Sequence, residues 1–472
     1  MSSATPTTPT PTAQATRPAV SVTVPTRPID PAKAAAMTRR WFTAWALVLA
    51  GLAVGGKGFA YIGLPPLFIS EVIVALGVGV LLLQPRWREL AASPTTMLIG
   101  LLLAWTAWRT VPYLGRYGMD APRDAVIVGY ALAGLAVAAG VMSQPKVLPW
   151  LLRRYQTFAK VFLVVMPGLW LANQFVGESI PGWPWAGGVG VFELKPGDIS
   201  VHLGAIAALA TLGLFRGRSL LWIMALVALL GVSGAISRGG LLSFGAAFAV
   251  AFCLHPTSRW AWRFLVTGLL IAGALTAADV SVEVPGRGRE LSARQLVTNV
   301  ASVFHEAETG DLDGTKAWRL EWWDAIVGYT VFGEYRWSGK GFGVNLATAD
   351  GFQVNEQETL RSPHNGHLTL LARGGVPALG LWVAVQAAWL IAMANAYLRA
   401  RQRREANWAA WLGFLTAYWL AMMLNASADV YFEGPMGGLW YWSVIGLGIA
   451  SVWVFRHRPE VMRVDHATPR EA

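Results

Sequence analysis

The stretch Arg361-Ser362-Pro363-His364-Asn365-Gly366-His367 gathers groups able to move protons and hold anions, where a long polar segment ends and a long apolar one begins. Histidine exchanges a proton near neutral pH without large tuning. An adjacent asparagine orients it or binds a substrate hydroxyl. The competing reading is a helix-start residue that satisfies free backbone amides. His367 stands one helical turn on, as a partner for His364 or a second histidine outside the chemistry. Arg361 opens the same stretch.

Two arginines elsewhere have the chemistry to hold phosphate. Arg238 lies in Ser237-Arg238-Gly239-Gly240, where glycines allow a turn and the close approach of a ligand. A guanidinium offers a planar fork matched to phosphate oxygens; the alternative is an interfacial arginine held by lipid headgroups. Arg319 sits among tryptophans in Trp318-Arg319-Leu320-Glu321-Trp322-Trp323. It can stack on a ring while its fork reaches a phosphate, or it can pair with Glu321 or Asp324 as a structural arginine. Trp323 is the ring singled out for substrate contact. Arg287, Arg289 and Arg294 form a basic stretch that suits an anionic lipid or substrate. Asp311-Leu312-Asp313-Gly314 is too short for a calcium loop and reads as an acidic turn. Gly339-Lys340-Gly341-Phe342-Gly343 lacks the full phosphate-loop spacing and also reads as a turn.

The elements that must position these groups are membrane helices. Of 472 residues 54% are hydrophobic and only 14% charged, against roughly 25% in soluble domains. Mean hydropathy is +0.44. About twelve apolar stretches approach the ~20 residues of a helical span: 42–60, 64–84, 95–112, 124–143, 157–176, 198–215, 219–236, 239–255, 262–279, 367–397, 407–427 and 437–455. The fold class is therefore all-α, a polytopic transmembrane bundle. A net charge of +11 fits basic cytoplasmic loops rather than nucleic-acid binding. Arg39-Arg40, Arg86 with Arg88, Arg153-Arg154, Arg216 with Arg218, Arg259 with Arg263, the run 399–404, and Arg456 with Arg458 fall at alternate span ends. All lie on one side if both termini are cytoplasmic. The single cysteine, Cys253, excludes a disulfide within the chain.

The expected organisation is a disordered cytoplasmic tail over 1–36, nine spans within 37–279, an outward loop over 280–366, three spans within 367–456 and a second tail over 457–472. A loop of that length carries function or is disordered. Its apolar spacing at Leu296, Val300, Val303 and Phe304, and again from Trp318 to Val327, predicts two amphipathic helices of interfacial type, packed over the outer ends of the spans. Glu71, Arg109, Asp124, His202 and Arg238 all fall at the outer half or outer edge of spans. Ionisable residues there are costly, so they line a polar cavity open outward, His202 among its substrate contacts, or they pair for assembly, as Glu71 would with Lys57 or Arg109.

Taken together, these features resemble the O-antigen ligase family, which shares a pattern with O-antigen polymerases and bacterial O-oligosaccharyltransferases. That pattern is His followed by Asn, Ser or Gln, nine residues, Gly, two residues, then Gly, Thr or Tyr. Here it reads His364-Asn365, nine residues, Gly375, two residues, and Ala378, departing at the last position. The likeness is strongest from about 230 to 380. It implies a GT-C-like membrane glycosyltransferase without cofactor or metal. The implied donor is an undecaprenyl-diphosphate-linked glycan, the acceptor a sugar hydroxyl of lipid A–core, and the setting the periplasmic face of the bacterial inner membrane. It further implies that Arg238 and Arg319 clamp the diphosphate while His364 serves the acceptor hydroxyl. Asn365, Arg361, His367, Arg289, Trp323 and His202 would contact substrate. A polymerase using a second lipid-linked glycan is the nearest alternative, followed by a protein O-oligosaccharyltransferase. A transporter is the alternative of another class; it would place ionisable residues at the bilayer midplane, within broken helices of paired repeats.

Overall fold

In the computed structural model, residues 30–186, 188–217, 219–279, 281–284, 289–292 and 310–463 are described. Arg287, Arg294 and the expected helix from Leu296 to Phe304 lie outside the described residues, as do the side chains of Arg289, Asp311 and Asp313.

The chain is a multi-pass helical membrane protein. Its helices are α1 (Pro31–Ala60), α2 (Ile69–Leu82), α3 (Trp87–Ala91), α4 (Pro94–Thr110), α5 (Leu114–Tyr117), α6 (Asp120–Gly129), α7 (Ala131–Ser143) and α8 (Val147–Phe175). These are followed by α9 (Pro196–Thr211), α10 (Leu220–Ile236), α11 (Arg238–Leu254), α12 (Arg259–Ala277), α13 (Gly310–Val331), α14 (Leu346–Asp350), α15 (Gly366–Gln402), α16 (Ala406–Ala426) and α17 (Pro435–His457). The described residues also include two small antiparallel hairpins, β1 (Gly63–Leu64) with β2 (Leu67–Phe68), and β3 (Ser281–Val284) with β4 (Arg289–Ser292).

Among the described residues, eight helical stretches are long and apolar enough to cross a membrane. Twelve were expected. The difference lies at α2, α9, α10 and α11, which occupy expected positions but run only 14 to 17 residues. Helices α10 and α11 meet directly at Ser237, which ends one and caps the other. Helix α9 is buried on every face from Ile199 to Thr211, the pattern of a helix apolar all round at the centre of a bundle. It packs on α11 and α16, while α17 packs on α7 and α15 on α4.

Two of the long helices are broken by glycine, and both breaks serve as docking points. Gly375 in α15 has a φ of +71°, and Pro377 two residues later lacks an amide hydrogen. A helix broken in this way leaves backbone groups without intrahelical partners. The segment 336–341 supplies them: Lys340 N donates to Ala372 O (2.8 Å), Gly341 N to Arg373 O (2.9 Å), and Val376 N to Arg336 O (2.8 Å). The Trp105 indole closes Gly374 O at 2.9 Å. Helix α1 breaks likewise at Gly56, φ +61°, where Lys57 N donates to Glu193 O at 2.9 Å. Extramembrane loops are thereby locked to the spans by main-chain hydrogen bonds.

Helix α13 forms a second apolar core with α14 and the first turns of α15. Trp322 and Ile326, both fully buried, pack on Leu346, Ala347, Leu371 and Ala372. Trp322 stacks on Phe352 and donates to Asp350. Helix α13 is thus packed over the first turns of a span, and Trp322 faces a protein core. Lys340 pairs with the same Asp350 carboxylate and lies over the Tyr329 ring, so the turn at 339–343 is fixed to α13.

Candidate active site

The segment after α16, Ser427 to Glu433, is the meeting point of several candidate site residues. On one side stands His364. It precedes α15 with a φ of +53°, a left-handed conformation costly for a non-glycine residue and held only by its surroundings. Those surroundings are explicit. Asn365 caps α15, its Oδ1 accepting from His367 N and Leu368 N at 3.1 Å each. Trp323 Nε1 on α13 donates to Pro363 O at 2.8 Å. With both neighbours pinned, the His364 Nδ1 sits 3.6 Å from Asp429 Oδ1, a charge contact slightly beyond hydrogen-bonding length.

Arg319 reaches the same segment from α13. Its Nη1 donates to Ala428 O at 3.0 Å. It pairs with neither Glu321 nor Asp324, and stacks on none of the tryptophans around it, among the described residues. Burial lowers its pKa, with the Asp429 charge pulling the other way. The turn bearing Arg238 approaches from the third side. Ser237 Oγ accepts from Gly240 N at 3.1 Å, capping α11. A Cβ on Gly239 would lie 3.1 Å from that of Ala428, and one on Gly240 would fall 2.8 Å from Ser200 Oγ. Absent side chains at both positions let the turn settle against α9 and the 427–433 segment.

Asp429 ties the cluster together. Besides His364, it accepts from Val430 N at 2.7 Å and from Lys195 Nζ at 3.5 Å. Burial opposes its ionisation, but His364, Lys195 and the Val430 amide together hold the carboxyl well below the usual range. Lys195, at the start of α9, is desolvated, yet Asp429 and Asp198 keep its pKa above the ordinary value. Asn425 steadies Asp198 at 3.4 Å, and Thr369 on α15 donates to Glu433 at 2.7 Å. An imidazole, a guanidinium and an ammonium thus stand around one carboxylate. This arrangement can orient a proton acceptor and match the charge of a phosphate-bearing ligand.

Other residues singled out from sequence are engaged elsewhere. His367 has both ring nitrogens occupied: Nδ1 accepts from Trp382 Nε1 at 3.1 Å and Nε2 faces Met423 O at 3.2 Å. Its position inside an aromatic cluster with Trp382 and Phe432 makes it a packing residue. His202 is only 2% exposed, bonded through Nδ1 to Tyr418 Oη at 2.7 Å and walled by Phe158, Phe162 and Trp440. Arg361 bridges Asp120 (3.2 Å) and Asp124 (3.0 Å), and the 1% exposed Arg373 reaches the same Asp124 at 2.8 Å. A buried ion network of this kind holds elements in register; here it fastens the loop before His364 to α6. Glu71 caps α2 by accepting from Phe68 N and from Tyr130 Oη. Lys57 pairs with Glu193, and Arg109 donates to Ser338 O. The expected Glu71 pairing with either cation does not form, and Asp124 serves assembly.

Asp429, Lys195, Asp198, Glu433 and Thr369 were missed by sequence reasoning. The available signal was the short segment 428–436, which carries two carboxylates and little else polar. Residues 223–383 match the family model described as O-antigen ligase. No match was found among curated proteins. The matched stretch contains Arg238, Arg319, His364, Asn365 and Gly375, while Lys195 and Asp429 complete the cluster from outside it. Over this stretch the chain is similar to the O-antigen ligase family.

Proposed function

We propose that the chain moves an O-antigen polysaccharide from undecaprenyl diphosphate to a sugar hydroxyl of lipid A–core, on the periplasmic face of the inner membrane and with both termini cytoplasmic. One observation carries this reading: His364, Arg319 and the Arg238 turn converge on Ala428–Asp429 from three separate parts of the chain. The orientation is supported by basic residues meeting at the opposite end of the bundle. There Arg86 stacks on Trp453, Arg401 reaches Leu254 O and Arg463 pairs with Glu405.

The reaction is a single displacement. The acceptor hydroxyl oxygen attacks the anomeric carbon, the bond from that carbon to the diphosphate oxygen breaks, and the configuration inverts. His364 takes the hydroxyl proton as the new bond forms. Asp429 orients the ring and stabilises the imidazolium, as a carboxylate behind a histidine does in hydrolases. The lipid diphosphate departs with its charge matched by Arg238 and Arg319, whose fixed positions spare reorganisation when charge develops. Two guanidiniums supply the charge stabilisation a divalent cation supplies in other enzymes, so the transfer is metal-independent and survives chelation.

The test is to give the purified chain lipid-linked glycan with lipid A–core, with a second lipid-linked glycan, or with an acceptor protein. Extension of lipid A–core alone is expected. Extension of the second glycan instead would make the chain a polymerase, and movement of the lipid carrier without any transfer would make it a transporter.

A further inference from the structure

Away from this cluster, a basic and aromatic surface joins two segments distant in sequence. Helix α4 ends at Trp108-Arg109-Thr110, and the apolar stretch that can cross a membrane continues through α5 to Tyr117, next to Met119. Arg109 Nε donates to Ser338 O at 2.8 Å, which places the segment 332–338 level with the end of α4. Trp108, Val111, Leu114 and Met119 from one segment, with Phe332 and Trp337 from the other, are exposed. Exposed apolar side chains at the level where a span ends are a membrane-contacting surface.

Three arginines are set into that surface, each stacked on an aromatic ring. Arg109 lies 5.7 Å from the Tyr113 centroid, Arg116 5.2 Å from Tyr117, and Arg336 5.4 Å from Trp337. A stacked guanidinium keeps its planar fork free for an anion. The nearby Asp120 is taken by Arg361 and Arg123. Arg116 and Arg336 form no ion pair among the described residues. The surface is therefore cationic within an apolar surround, complementary to a negatively charged headgroup on acyl chains.

We propose that Arg116 and Arg336 bind the phosphate headgroup of an anionic phospholipid from the leaflet at the end of α4. The apolar side chains around them meet its acyl region. The lipid bridges α4–α5 and the segment following α13, and so anchors the module that carries Arg319. This site stands apart from the transfer reaction and holds whichever acceptor the chain uses.

The full-length chain, placed in nanodiscs of mixed phosphatidylglycerol and phosphatidylcholine, is released and its retained lipids counted by native mass spectrometry. The wild type is expected to retain phosphatidylglycerol preferentially, and the Arg116→Gln/Arg336→Gln pair to lose roughly tenfold of that retention. Arg154→Gln, an arginine stacked on Trp150 at the other end of the bundle, should retain it fully. Equal retention by the pair and the wild type, or an equal loss in Arg154→Gln, overturns the proposal. If the pair does not fold, the wild type alone decides in detergent. Short-chain phosphatidylglycerol must raise its Tm above the value in phosphatidylcholine, and equal values overturn the proposal.

Discussion

His364 Nδ1 lies 3.6 Å from Asp429 Oδ1, although the two residues belong to different helix connections and His364 must hold a left-handed backbone to reach that position. Strain of this kind costs of order 1–3 kcal/mol and persists only where neighbours over-determine it. The Asn365 cap and the Trp323–Pro363 bond do so here. The conformation brings an imidazole to a half-buried carboxylate.

The two histidines of the motif should separate cleanly. His367 has both ring nitrogens committed inside the protein. His367→Phe should lower stability by about 1–3 kcal/mol through lost buried hydrogen bonds. Transfer per folded molecule should remain near the wild-type rate, read by assaying variants normalised to folded protein in gel filtration. A rate collapse without a stability loss would move the chemistry to His367.

Replacing either clamp arginine by lysine keeps the charge and removes the fork. Arg238→Lys and Arg319→Lys should each slow transfer by about tenfold or more, with the larger part in kcat, because the interaction strengthens as the diphosphate leaves. Initial rates across donor concentrations check this. A change confined to KM would make these residues ground-state binders.

Asp429 gives a pH signature. Its folded pKa lies below the unfolded value of roughly 3.9. A depressed carboxyl contributes stability that is fully present above the unfolded value and is lost as pH falls through the folded one. Asp429→Asn should therefore be less stable than wild type at neutral pH. That gap should persist down to about pH 4 and close only in more acidic solution. Thermal unfolding in detergent across pH measures it; a gap that opens only above neutral pH would contradict the assignment.

Gly375 tests how the loops are fastened. A side chain there would adopt an unfavourable φ and come 2.6 Å from Arg336 O. Gly375→Ala should cost about 1–3 kcal/mol of stability, seen as a lower Tm. It should also loosen protection of the Lys340 and Gly341 amides in hydrogen exchange, since those two donate into the break.

The sequence made the helical bundle and the three candidate site segments legible, because apolar runs and the polar breaks between them follow directly from the physics of the bilayer. The junction of α10 and α11 at Ser237 was legible as the break between the stretches 219–236 and 239–255, because Ser237-Arg238-Gly239-Gly240 interrupts the apolar run. The tryptophans of α13 looked interfacial because an amphipathic face is the same whether it meets lipid or protein. Only the fold shows Trp322 against Phe352. Arg361 was read as a substrate contact and Asp124 as cavity-lining, but a buried ion pair between residues 237 positions apart leaves no local pattern. The same limit hid Asp429 and Lys195, which acquire meaning only when α9 and the α16–α17 connection come together.

The most direct measurement is transfer of lipid-linked glycan by purified His364→Ala, in detergent, matched to wild type for Tm and elution volume. The account predicts at least about a hundredfold loss of rate with both folding measures unchanged. Transfer within a few fold of wild type by that folded variant would contradict it, and would remove the imidazole beside Asp429 from the reaction.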